Sequence, residues 1–270
     1  GTTILGGDNR LGLSVLTHLL QQVAERKIPH RNFFVVHSVA EEIGLFGAER
    51  IDLSKYIVEG AYVFDSSRRP GIYVRECVGL YLFDATFIGK ATHAGVSPED
   101  GINAISLASR AISKIDIGRI NEEMTTNIGT ITGGVATNVV PDRVSIEGEV
   151  RSFSPEQSLE RLRLIEKTFR DSLEGRGGVD FKYRIDFEPC MLKPGVPILA
   201  RLERALRSAG LTPQPIRYTG GSDANKYNAK GIAAVNLGVG AQKPHTHEEF
   251  VLLEDLAKTA EIAFELIQPD

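Results

Sequence analysis

Leu13, Leu16, Leu20 and Val23 fall three to four residues apart, while Gln21, Gln22 and Glu25 face the other way. That spacing predicts a helix with one apolar stripe turned toward a core. A polar turn, Gly6 to Arg10, comes before it, and Thr2 to Leu5 is expected to be a strand leading into the turn. Asn32 to Val36 and Ala61 to Phe64 are short, continuously apolar runs. Such runs, apolar on both faces, predict inner strands of a sheet covered by helices. Between them, Gly44 to Arg50 reads as a short helix.

From Val78 the period changes to two, with Tyr81, Phe83, Ala85 and Phe87 on one face, the pattern of an antiparallel strand. A helix is predicted over Gly101 to Ile115, with Ile105, Ala108, Ile112 and Ile115 on one side, followed by strands at Thr126 to Thr132 and Arg143 to Arg151. Ser154, Pro155 and Gln157 have the form of a helix start closed by a capping box. Leu159, Leu162, Ile165, Phe169 and Leu173 supply its buried stripe, and Gly175 ends it. Val179 to Phe187 then alternates strictly, completing about four strands and two helices. Beyond Leu192 to Pro194, helices at Val196 to Ala209, Ser222 to Ala229 and Leu252 to Ile267 alternate with strands at Ile216 to Tyr218 and Ala233 to Leu237. The fold class is therefore α/β: a mostly parallel sheet sandwiched by helices, formed by residues 1–77 and 192–270, with an α+β domain inserted at 78–191.

Composition narrows the function. Lys and Arg number 31 against 35 Asp and Glu, a net charge of −4 without a basic block, which argues against nucleic acid as a partner. No apolar run approaches the ~20 residues of a membrane span, so no membrane role is expected. Cys77 and Cys190 are too few for a disulfide framework and lack metal-ligand spacing. They read as buried thiols in a reducing, cytoplasmic compartment. The chain opens at Gly1 within an apolar phrase, so its natural start is expected to lie upstream.

Acids stand where strands end. Asp8 lies in the Gly6 to Arg10 turn, Glu41 and Glu42 follow an apolar run, and Asp65 ends Ala61 to Phe64. The carboxyl edge of an open α/β sheet is where such folds collect functional groups. A turn or helix cap is the ordinary explanation for Asp8, and a surface position for the glutamates. Their apolar surroundings favour a cation, because burying like charges without one is costly. His245 follows the strand at Ala233 to Leu237, with His247 close enough to compete for its role. Mixed oxygen and imidazole donors suit zinc, manganese or cobalt.

The blocks Gly1 to Gly12 (GTTILGGDNRLG), Val39 to Ala48 (VAEEIGLFGA), Gly89 to Gly95 (GKATHAG), Gly134 to Arg151, Gly220 to Asn225 (GGSDAN) and Pro244 to Phe250 (PHTHEEF) together resemble the peptidase T branch of the aminoacylase and carboxypeptidase group of dinuclear zinc peptidases. The resemblance runs in order along nearly the whole chain. It implies that Asp8 bridges two divalent ions, that Glu42 and His245 complete one site, and that Asp65 belongs to the other. It makes Glu41 the general base toward a metal-bound water and His93 the stabiliser of the tetrahedral intermediate. It assigns Asn138 and Arg151 to the substrate carboxylate, and the amides at Gly220, Gly221 and Ser222 are candidates for the same task. The inserted domain becomes a lid and the contact of a homodimer.

The family's His-x-Asp motif, which precedes the first block, is absent, so the second metal site is expected to lack a ligand and this polypeptide to be weak or inactive alone. Ser66 to Arg69 stands where a glycine-rich stretch is expected, which implies a shifted substrate preference. The leading reading is an aminopeptidase for short peptides, tripeptides among them. The alternatives are an N-acyl amino acid deacylase or carboxypeptidase of the same group, and a non-catalytic scaffold that has lost its metals.

Overall fold

The structure, a computed structural model, describes residues 2–269. The chain forms two compact units, one from Gly1–Cys77 with Cys190–Asp270, the other from Val78–Pro189. Along the chain come α1 (Gly7–Arg26), α2 (Phe46–Arg50), β1 (Ala61–Ser66) and β2 (Ile72–Cys77). The second unit follows with β3 (Gly79–Ile88), α3 (Ala104–Ile112), β4 (Gly118–Asn121), β5 (Met124–Gly133), β6 (Arg143–Ser152), α4 (Pro155–Asp171) and β7 (Gly178–Phe187). The first unit resumes with β8 (Cys190–Met191), α5 (Pro197–Ser208), β9 (Gln214–Tyr218), α6 (Asp223–Ala229), β10 (Ala234–Gly238), β11 (Ala241–Gln242), β12 (Phe250–Val251) and α7 (Leu253–Ile267).

The sheet of the first unit is mixed. β1 runs parallel to β10 and β2 parallel to β9, while β2 is antiparallel to both β10 and β8. Phe64, Val235 and Leu237 pack with Leu11, Val15, Leu202 and Ile262 of α1, α5 and α7. Ala61, Val63 and Ala234 point the other way, onto Ala48 of α2 and Tyr227 of α6. Alternate side chains of a strand leave on opposite faces, so both faces are covered and the strands carry few polar residues.

In the second unit β4-β5-β6-β3-β7 form an antiparallel sheet of five strands, one more than the pattern predicted, because β4 is short and mostly polar. Tyr81, Phe83, Ala85 and Phe87 are buried with Leu162, Ile165 and Phe169 of α4. The Ser154 side chain accepts the Gln157 amide, as a cap should. Its hydroxyl donates to Glu156 Oε2 at 2.7 Å, so the start of α4 is a simple cap rather than the expected box.

Several expectations are corrected. Thr2 to Leu5 is not a strand, and α1 begins directly at Gly7. The buried face of α1 is Leu11, Val15 and Leu19, whereas Leu13 and Leu20 are exposed. Leu13 and Leu16 instead line a cavity of about 830 Å³, so the helix is apolar on two sides and the period alone does not choose between them. The same cavity lies between Phe33 to Val36 and β1, and among the described residues no strand pairs with residues 32–38. That segment is anchored at its two ends, by the Arg31 amide on Ile267 O and the Gly47 amide on Val39 O. Apolar composition without a neighbouring ladder leaves it irregular. β2 was not anticipated, since Arg75 and Glu76 interrupt its apolar run. Cys77 and Cys190 are opposite one another in the β2·β8 pair and form a disulfide, so they are not free thiols and the argument from them for a reducing compartment lapses.

Gly12 is where α1 meets β1. A Cβ there would collide with the Phe64 carbonyl and the Asn9 carboxamide. Gly12→Ala is predicted to lower stability by about 1–3 kcal/mol in urea titrations, despite alanine's better helix propensity.

Candidate metal centre

Three separate segments build the centre. The first is the Gly6 to Arg10 turn that opens α1. Asn9 closes it by accepting the Gly12 amide at 2.9 Å through Oδ1, while its Nδ2 donates to Phe64 O and Asp65 Oδ1, both at 2.7 Å. One side chain thus ties the start of α1 to the end of β1 and places Asp65 near Asp8. The Asp8–Asn9 peptide is cis. Asp65 itself sits where the β1·β10 register slips between Phe64 and Ser66. Its amide donates to the Asn236 side chain at 3.2 Å. A bulge re-aims a side chain, which accounts for an acid at this position between the buried Phe64 and Ser66.

The second segment is the turn into α2. Amides of Gly44 and Leu45 close onto Glu41 O, and those of Phe46 and Gly47 onto Ala40 O and Val39 O. Ala40 and Leu45 are left-handed, at φ 57° and 58°, a conformation that L side chains rarely adopt. The third segment is the β11–β12 hairpin, whose loop carries His245, left-handed at φ 63°.

Asp8, Glu42 and His245 each offer a ligand atom, and these atoms all lie within 4.8 Å of one another. His245 Nε2 is 3.3 Å from Asp8 Oδ2 and 3.6 Å from Glu42 Oε2. Asp65 stands outside this trio, with Oδ1 engaged by Asn9. Of the two candidate histidines, His245 faces the acids.

Charge is crowded here. Glu41 is pushed up to about 7 by burial and by Glu42, Asp223 and Asp8, with His245 opposing. Glu42 is raised by burial and then by Asp8. Asp65 is raised well above the usual carboxylate range by burial, then by Glu41, Asp8, Asp223 and Glu42. Like charges gathered in low dielectric hold each other's protons unless a cation intervenes. The donor set is two carboxylates and an imidazole, which suits a borderline divalent ion. The residues therefore fit a metal.

Three participants were not anticipated. Asp223, at the start of α6, is 6% exposed, accepts the Ser38 hydroxyl, and leaves Oδ1 without a partner. Burial raises it. Glu249 accepts the Gly6 and Asp8 amides, and Asn9 is the tie described above. All three lie inside or beside the recognised blocks, where each could have been weighed individually.

The remaining candidates divide between the units. Ser222 caps α6 in a full capping box, its own amide donating to Asn225 Oδ1 at 3.1 Å, so that amide is engaged within the turn that follows Gly220 and Gly221. In the second unit His93 and Asn138 are exposed, on segments joined by the Ala94 amide bonding Asn138 O at 2.9 Å. Arg151 on β6 grips Glu149 with two bonds, 2.8 and 3.1 Å.

Comparison with known proteins adds to this geometry. Residues 78–175 match the peptidase dimerisation domain of M20 enzymes, and residues 6–65 match the M42 glutamyl aminopeptidases. YqjE of Bacillus subtilis (strain 168) is 35% identical over 269 residues, covering 99% of this chain and 72% of YqjE. The crystal structure of aminopeptidase PepT from Bacillus cereus has a TM-score of 0.86 at 35% identity, covering 98% of this chain and 72% of that one. A tripeptidase from Staphylococcus aureus has a TM-score of 0.92 at 33% identity, covering 99% of this chain and 72% of that one.

Crowding predicts a stability effect. In chelator-treated protein, Glu41→Gln removes a carboxylate whose folded pKa is raised. Such a group destabilises the fold as pH rises from the ordinary carboxylate range through about 7. Discounted for its partial exposure, the gain at pH 8 is about 1–2 kcal/mol, read as a higher Tm, and it vanishes toward pH 4.

Proposed function

The chain belongs to the M20 peptidases, in their peptidase T-like branch, and we propose that it is a metal-dependent aminopeptidase that takes the first residue from short peptides, tripeptides foremost. The observation that carries this reading is the convergence of Asp8, Glu42 and His245 within 4.8 Å, with the half-buried Glu41 adjoining Glu42 in the same turn. Divalent ions, when bound, would polarise the scissile carbonyl and ease deprotonation of a water. Asp8, Glu42 and His245 would hold one ion, and Asp8 with Asp65 would serve a second. Zinc fits this mixture of oxygen and nitrogen donors best, with manganese and cobalt as alternatives.

Glu41 acts as the general base. Its raised affinity for a proton near neutral pH suits a group that takes the proton from the attacking water and delivers it to the departing amine. His93 donates to the oxyanion that develops during attack. Arg151, with Asn138, would receive the peptide's terminal carboxylate by exchanging its pair with Glu149 for that anion. Gly220 and Gly221 offer backbone amides to the substrate ahead of the Ser222 cap. The match of residues 78–175 to a dimerisation domain supports a homodimer formed through this unit.

Glu41→Gln is predicted to lower kcat by about 10²–10⁴-fold while leaving peptide binding within a few-fold. A chelator abolishes turnover, and zinc, manganese or cobalt restores it. A panel of tripeptides, dipeptides, N-acetylated tripeptides and N-acyl amino acids tests the substrate class. Free tripeptides are cleaved fastest, and release of amino acid from the acylated compounds at a comparable rate would move the assignment to a deacylase.

A further inference from the structure

We infer that Glu249 is a positioning residue for Asp8, and that the β11–β12 hairpin sets two ligands of the metal centre at once: His245 directly, and Asp8 through the Glu249 carboxylate. The inference rests on the metal reading proposed above and extends it to a residue that is not itself a ligand.

Glu249 is 8% exposed, and its side chain crosses to the turn that opens α1. Oε2 accepts the Gly6 amide at 2.6 Å and Oε1 the Asp8 amide at 2.9 Å. Gly7 lies between them, and a Cβ there would stand 3.2 Å from Oε1 and 3.0 Å from Val251 Cγ2. A side chain at position 7 would therefore crowd the bidentate grip, and the grip fixes the backbone from which Asp8 projects. A carboxylate receiving amides at the start of a helix is an ordinary cap. Two features set this one apart. The amide it holds belongs to a metal-centre residue, and it comes from the loop of His245, whose ring is 3.3 Å from the Asp8 carboxylate. The Glu249 amide in turn bonds Thr246 O at 3.1 Å, so the His245 turn and the clamp are one closed piece of backbone. Groups that orient ligands commonly govern metal affinity by about 10–100-fold.

The test is cobalt(II) titration of chelator-treated protein, followed by calorimetry and by the visible absorption of the bound ion, on wild type, Glu249→Gln and Gly7→Ala. Glu249→Gln retains the shape and one acceptor but loses the ionised grip. Gly7→Ala keeps the carboxylate and crowds its Oε1. Both variants are expected to bind cobalt about 10–100-fold more weakly than wild type, with a changed absorption band, while the metal-free proteins retain cooperative unfolding. If Glu249→Gln does not fold, Gly7→Ala decides by the same readout. Cobalt binding equal to wild type in a folded variant would overturn the clamp alone. Failure of wild type to take up cobalt would overturn the metal reading and this inference with it.

Discussion

Repulsion among carboxylates is the constraint to which the first unit answers. Asp8, Glu41, Glu42 and Asp65, with Asp223 nearby, are brought together by segments that are distant in sequence, and all but the exposed Glu42 are partly or largely withdrawn from water. A pair of unit charges 4 Å apart costs about 4 kcal/mol at the effective dielectric of a protein surface. Nothing in the sheet or helices requires acids here. Their neighbours instead hold them in place: Asn9 on Asp65, Ser38 on Asp223, Glu249 on the backbone of Asp8. The left-handed residues Ala40, Lys243 and His245 add backbone strain close by. Acids crowded and strained at one rim, where neither sheet nor helix requires them, are the usual mark of a site selected for function.

The scaffold explains how one member of that rim is placed. β1 and β10 are parallel neighbours with both faces covered, and Asp65 leaves β1 at a bulge opposite Leu237 and Gly238. The disulfide between β2 and β8 joins the strands through which the chain departs into the second unit and returns. An insertion whose ends lie on paired neighbouring strands can fold around its own core without disturbing the sheet that it interrupts.

How much of this was legible from sequence depended on whether an element's pattern was decided locally. α4 could be read to its cap because Ser154, Pro155 and a single apolar stripe agree with one another. β3 and β7 were legible because they alternate on a half-covered sheet. Phe33 to Val36 failed because strand propensity says nothing about whether a partner strand is present. α1 misled in its facing because apolar residues occupy two sides of it. In the site, Asp8, Glu42 and His245 were found by their places at the ends of apolar runs and by resemblance. Glu249, Asn9 and Asp223 were missed because their importance lies in what they touch. A clamp, a tie and a buried acid carry no spacing signature, and only the folded chain shows that Glu249 meets a residue 241 positions away.

That separation bears on how the centre forms. His245 meets Asp8 across 237 residues and Glu249 meets Gly6 across 243, so each contact closes a very long loop of chain. Contacts of such range are entropically expensive to close and form late relative to local helices and hairpins. The turn of Asp8 is held on one side by Asn9, which bonds Phe64 and Asp65, and on the other by Glu249 of the β11–β12 hairpin. The same hairpin brings the imidazole and the carboxylate that restrains the turn, so ligand assembly and ligand orientation are one event. One loop thus supplies both the Glu249 carboxylate on the Asp8 turn and the His245 imidazole, which opposes the charge on Glu41 and lies within 4.8 Å of the Asp8 and Glu42 carboxylates.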